Sequence, residues 1–108
     1  MIKKLDTIPS IKTAHGSGLK NIFVEKQDVL SDLTQVAIGT ITNLDFIEPH
    51  KHPTMEEYYF ILDGRATFTI GDEISECEMN TFVLVPNDIM HSLKTNNFVR
   101  FLYWGVSI

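Results

Sequence analysis

Residues 50–70 read HKHPTMEEYYFILDGRATFTI, and the second half of that stretch sets the fold class. From 65 to 70 the chain alternates, with Ala66, Phe68 and Ile70 on one side and Arg65, Thr67 and Thr69 on the other. A period of two is the signature of a strand with one buried face. Upstream, residues 56–62 are rich in aromatic and branched side chains, which pack well on a pleated surface. Asp63-Gly64 lies between them. That dipeptide tolerates the positive φ of a tight turn, so two strands joined as a hairpin are expected here.

The same pattern extends outward. Residues 21–25, 34–42 and 46–52 read as earlier strands, and 73–77, 81–86, 90–95 and 98–106 as later ones. Gly71-Asp72, Asn87-Asp88 and Asn96-Asn97 supply turn chemistry between them. Roughly nine or ten short strands at regular spacing predict an all-β sandwich or barrel. Helical periodicity is absent, apart from a possible single turn within 28–33.

Composition narrows the partners. The 108 residues suit one domain, 1–108, and 44% hydrophobic content supplies a core. The net charge is −5 and the nine Lys and Arg are scattered, so there is no basic footprint for nucleic acid. No basic amphipathic stretch suggests a membrane surface. The longest apolar run, 58–62, is far short of the ~18 residues of a spanning helix. Residues 1–12 alternate in polarity and lack the apolar block of a leader. Cys77 is the only cysteine, which points to a reducing compartment, the cytoplasm, and to a role as a small buried hydrophobe.

Two of the four histidines, His50 and His52, are two residues apart. On a strand they share a face, whereas on a helix they would splay by roughly 200°. Strand context makes them a candidate metal clamp, and an antiparallel neighbour opening at Glu56-Glu57 would bring a carboxylate beside them. Glu57 shares a face with Tyr59 and Ile61, Glu56 with Tyr58 and Phe60. Both faces are apolar, so periodicity does not choose between the two carboxylates.

These residues resemble the cupin superfamily. Its first motif runs H-x-H, three or four residues, E, six residues, G. Here it is matched by His50, His52, Glu57 and Gly64, and only Glu57 leaves six residues before the glycine. The second motif runs G, five residues, P-x-G, two residues, H, three residues, N, and Pro86 and His91 fall in place. Asn80 and Asp88 stand where glycines are expected, but they are the residues most tolerant of left-handed backbone. Leu44 and Thr95 replace a further glycine and the final Asn. The motifs span 44–95 and match at all four ligand positions.

The resemblance implies a double-stranded β-helix, or jelly-roll barrel, holding one divalent transition metal on His50, His52, Glu57 and His91. Three imidazoles and a carboxylate suit Fe, Mn, Ni, Zn, Co or Cu. By parity with the ligands, Phe46, Tyr59, Ile61 and Leu93 face the metal. Tyr59, the one hydroxyl among them, is the candidate catalytic residue, orienting a substrate. Arg100 is a candidate substrate contact or an ion-pair partner. No other Lys or Arg is visible in register, and His15 reads as an exposed turn residue.

Such a pocket suits a metalloenzyme acting on a small molecule, with a dioxygenase narrowly ahead of a redox-neutral isomerase or lyase. The rival is a non-catalytic module that binds a sugar or carboxylate. Edge strands and surplus aromatics such as Phe98, Tyr103 and Trp104 predict a homodimer.

Overall fold

Asp63-Gly64 does not turn the chain. In the computed structural model, which describes residues 1–108, one strand runs unbroken from Met55 to Ile70. A two-residue hairpin of this type needs positive φ at both central residues. Only Gly64 has it, at 74°; Asp63 does not. The result is a bulge, with a register shift between Ile61 and Asp63. A Cβ at position 64 would run into the Phe98 carbonyl oxygen, so glycine is required at this corner.

There are nine strands: β1 Ile11–Lys12, β2 Leu19–Glu25, β3 Leu33–Thr42, β4 Ile47–His50, β5 Met55–Ile70, β6 Glu73–Glu78, β7 Phe82–Val85, β8 His91–Lys94 and β9 Phe98–Ser107. All pairings are antiparallel. The first half of β5 pairs with β9 and β7, in a sheet that continues through β3 and β2 to β1. Its second half pairs with β6 and β8, in a sheet that ends at β4. The bulge at Leu62, followed by the left-handed Gly64, thus passes a single strand from one sheet to the other. The two curled sheets make the double-stranded β-helix implied by the motifs.

The second departure is at β4. It pairs with β8, through Ile47↔Leu93 and His50↔His91, and not with β5. Pro49 and Pro53 lack the N–H groups a β4–β5 ladder would need, and the connection crosses between the sheets. Elsewhere strand boundaries fall close to expectation. Gly71-Asp72 makes the β5–β6 turn, with Ile70↔Glu73 as the last pair. Asn80 and Asp88 take positive φ, 71° and 61°, as left-handed stand-ins for glycine. Two short helical turns lie at Leu5–Thr7 and Lys26–Asp28, the second earlier than the one expected within 28–33.

The core sits between the sheets. Ile41, Ile61, Phe68, Val85 and Val99 are its largest fully buried side chains. Each contributes on the order of 1.5–3 kcal/mol of burial. Cys77 is buried among them, and burial pushes its thiol pKa up, which suits an inert hydrophobe. No helix is long and apolar enough to cross a membrane.

Candidate metal centre

His50, His52, Glu57 and His91 converge, each offering one ligand atom, with those atoms all within 4.8 Å of one another. They come from different places. His50 ends β4 and His91 opens β8, as a cross-strand pair in one sheet. Glu57 is on the half of β5 that belongs to the other sheet. His52 lies beyond the end of β4, where its carbonyl accepts a hydrogen bond from the Asp88 N–H at 2.9 Å. The left-handed turn at Asp88 therefore pins the loop that carries His52. Packing chooses between the two glutamates: Glu57 is buried at 8% exposure, while Glu56 is half-buried on the outer side, accepting from Tyr58 Oη at 3.2 Å.

The ring orientations fit a divalent ion. His50 Nδ1 lies 2.8 Å from the Glu48 carbonyl oxygen, and His91 Nδ1 lies 3.0 Å from that of Ile89. A carbonyl only accepts, so each Nδ1 carries the proton and each Nε2 lone pair faces the cluster. Glu57 Oε1 is 3.1 Å from His91 Nε2 and 3.3 Å from His52 Nε2. At His91 a lone pair faces a carboxylate, an arrangement that calls for a proton or a metal cation between them. Burial opposes ionisation of Glu57, but the hydrogen bond from His91 and the nearby imidazoles outweigh it and lower its pKa. Burial likewise opposes charge on His91, but Glu57 and the Ile89 carbonyl outweigh it and raise its pKa. Without a metal, a proton takes the cation's place.

A pocket of about 180 Å³ opens beside the cluster. His50, His52, Glu57 and Tyr59 form one side, and Ile41, Ile47, Leu93 and Phe101 give it an apolar lining. It is smaller than the ~300–1,000 Å³ typical of pockets for drug-sized ligands. Gly39 on β3 is part of the lining, and its bare backbone lets a neighbouring ring pack close. A Cβ on Gly39 would lie 2.6 Å from the Phe101 ring.

The sequence-predicted lining is only partly assembled. Leu93 and Tyr59 line the pocket. The Tyr59 hydroxyl donates to Glu57 Oε1 at 3.1 Å and is buried, so its proton holds the ligand carboxylate instead of facing a substrate. Ile61 is fully buried in the core, outside the pocket lining. Phe46 precedes β4 and is 46% exposed, because the register of β4 begins at Ile47 and turns its neighbour outward. Arg100 is on the exposed side of β9, opposite Thr40 and Asp63, and makes no ion pair.

Further polar residues line the pocket. His15 sits in an exposed turn, as expected, and its ring is also at the pocket, 4.2 Å from that of His50. Lys20, Gln35 and Tyr103 make a polar wall, which corrects the expectation that no further cation faces inward. The expected strand at 21–25 begins two residues after the observed β2, which left Lys20 outside it. Gln35 was legible as the one polar member of the row Gln35, Ala37, Gly39, Ile41.

Residues 41–104 match the family described as "Cupin domain", and the chain belongs to that family. A curated relative, an uncharacterized protein of Methanocaldococcus jannaschii, is 34% identical over 59 residues, covering 55% of this chain and 43% of that protein. The chain thus spans less than half the length of that relative. A predicted oxalate decarboxylase from Thermotoga maritima superposes with a TM-score of 0.89 at 17% identity, covering all of both chains. The polyketide cyclase RemF from Streptomyces resistomycificus gives 0.80 at 15% identity, over 98% of this chain and 80% of that one. At these identities the likeness is one of fold.

Proposed function

We propose that this protein is a metal-dependent enzyme acting on a small oxygen-bearing molecule, with dioxygenase chemistry as the leading reaction class. The observation that carries it is the convergence of three imidazoles and one carboxylate at the side of a small, partly apolar pocket. A divalent ion held there supplies a Lewis-acidic or redox-active centre with net charge near +1 and open coordination positions. The chain's own residues do the rest. Tyr59 holds Glu57, the carbonyls of Glu48 and Ile89 set the His50 and His91 tautomers, and Ile41, Ile47, Leu93 and Phe101 exclude water.

A redox-neutral isomerase or lyase is the second reading, and His15 favours it. Burial first, and then the charge of His52, lower its pKa, which leaves a neutral imidazole beside the pocket able to take up a proton. Loading the purified chain with Fe, Mn, Ni, Cu and Zn and screening pooled metabolites separates the two. Oxygen uptake that requires a redox metal supports the dioxygenase. Full turnover by the zinc form under nitrogen rejects it and installs the redox-neutral reaction. A metabolite that raises the melting temperature but is turned over by no metal form leaves a binding module.

A homodimer is part of the same proposal. Tyr58 and Trp104 stack at 5.5 Å with Phe82, 55% exposed, beside them, on strands of one sheet. A two-fold contact would cover this cluster. Light scattering at the monomer mass of 12.3 kDa at micromolar concentration contradicts it.

A further inference from the structure

The polar wall facing the metal ligands has donors left over. Lys20 Nζ donates to Gln35 Oε1 at 3.1 Å, and Gln35 Nε2 donates to the Tyr103 hydroxyl oxygen at 3.3 Å. Lys20 can only donate, so the amide orientation is fixed: its oxygen faces the ammonium and its nitrogen the phenol. Three donor groups then lack a protein acceptor: the remaining N–H bonds of Lys20, the second N–H of Gln35 and the Tyr103 O–H. Burial first, and then the charge of Glu57, push the Tyr103 pKa to about 12, so the phenol keeps its proton as a donor.

Lys20 is also without a counter-ion. The chain's ion pairs are Lys51–Asp88, Arg65–Glu76 and the contacts of His52 and His91 with Glu57; none involves Lys20. It is nonetheless half-buried at the pocket wall. A partly desolvated, unpaired cation is unfavourable, and an anion in the pocket offsets that cost.

We propose that Lys20, Gln35 and Tyr103 form a subsite for the carboxylate of a small organic acid whose second oxygen faces His50, His52, Glu57 and His91. The inference rests on the metal-centre reading and names its substrate class. The strands set the span. Glu57 on β5 is paired with Gly105 on β9, which is paired with Gln35 on β3. Two strand spacings separate the backbones by roughly 10 Å. Both side chains stand on the inward face of that one curled sheet, so the oxygens they hold lie within that span. A planar carboxylate fits three donors in a pocket this small better than a phosphate monoester does.

The test titrates malonate, succinate and their diamides, with inorganic phosphate as a further probe, into the full-length zinc-loaded chain. Calorimetry reads affinity, and elemental analysis reads bound zinc separately. We expect at least one diacid to bind about fivefold or more tighter than its diamide, with Lys20→Gln losing about fivefold or more. Zinc content should be unchanged, Lys20→Arg should restore binding, and Tyr103→Phe should lose less than Lys20→Gln. Equal binding of diacid and diamide, a smaller loss in Lys20→Gln, no binding of either acid, or phosphate binding tighter than both acids overturns the proposal. A chain that takes up no zinc overturns the metal-centre reading instead. The acids are then titrated against the metal-free chain, where a Lys20-dependent affinity still supports the subsite and its absence overturns it.

Discussion

The barrel interior has two ends built from the same strands, and they differ in the size of the inward residues. Toward the Gly64 corner, Ile61, Ala66, Phe68, Cys77 and Val99 fill the space and are buried. Toward the metal cluster, the rows become Gln35, Ala37 and Gly39 on β3, and Gly105 and Tyr103 on β9. Both ends share the alternation of a half-buried strand, so pattern alone does not separate core from cavity. Glycines on the second set of rows let neighbours pack close, Phe101 on Gly39 and Met55 on Gly105, and the pocket opens beside them. Polar groups face that pocket, among them His50, Glu57, Lys20 and Gln35.

The comparison predicts opposite responses to substitution. Phe68→Ala at the packed end should cost about 3–5 kcal/mol, as a large cavity opens where nothing can collapse to fill it. Gln35→Ala at the pocket end should cost about 1 kcal/mol or less, because the cavity already exists. Urea unfolding of the two variants measures this, and comparable losses would break the distinction.

At the metal end, Glu57→Ala should lower metal affinity by ~100-fold or more, beyond the 10–100-fold typical of losing an outer hydrogen-bond partner. Glu56→Ala, on the other side of β5, should change it by less than about twofold. Competition with a chelator gives both numbers, and the reverse ranking would shift the register by one.

The corner comes next. Gly64→Ala should cost about 2 kcal/mol, because alanine resists φ of 74° and its Cβ meets the Phe98 carbonyl oxygen. The same change at Gly71, whose Cβ would meet only Ile89 at 3.8 Å, should cost less. Equal melting points for the two would show that the bulge relaxes freely.

The smallest effect is on pH. In the metal-free chain the raised His91 pKa contributes stability that is complete below the ordinary value of 6.5 and lost as pH rises through the raised value. The lowered Glu57 pKa contributes stability present above its ordinary 4.5 and lost as pH falls through the lowered value. The pair therefore favours the window from 4.5 to 6.5. Metal reverses the trend, because coordination requires neutral imidazoles and tightens as pH rises above about 6. Melting curves with a chelator and with zinc, at several pH values, should diverge on the alkaline side; parallel curves would remove the proton from the site.

By itself the sequence determined the local choices. Period-two alternation marks the strands, Gly71-Asp72 turns the chain, and Asn80 and Asp88 take the left-handed turns left by missing glycines. The spacing of His50, His52, Glu57 and His91 singled out the cluster that could hold a metal, and the family. Tertiary structure decided what depends on pairing between distant strands. Asp63-Gly64 bends one strand between sheets instead of making a hairpin, because Phe98 and Val99 of β9 pass beside it. His50 pairs with His91 across 41 residues, not with the adjacent β5. Lys20, Gln35 and Tyr103 meet from three strands, and Phe46 and Arg100 face away, because register sets which of two faces each residue takes. A slip of one residue reverses every such assignment, and only the packed sheets fix it.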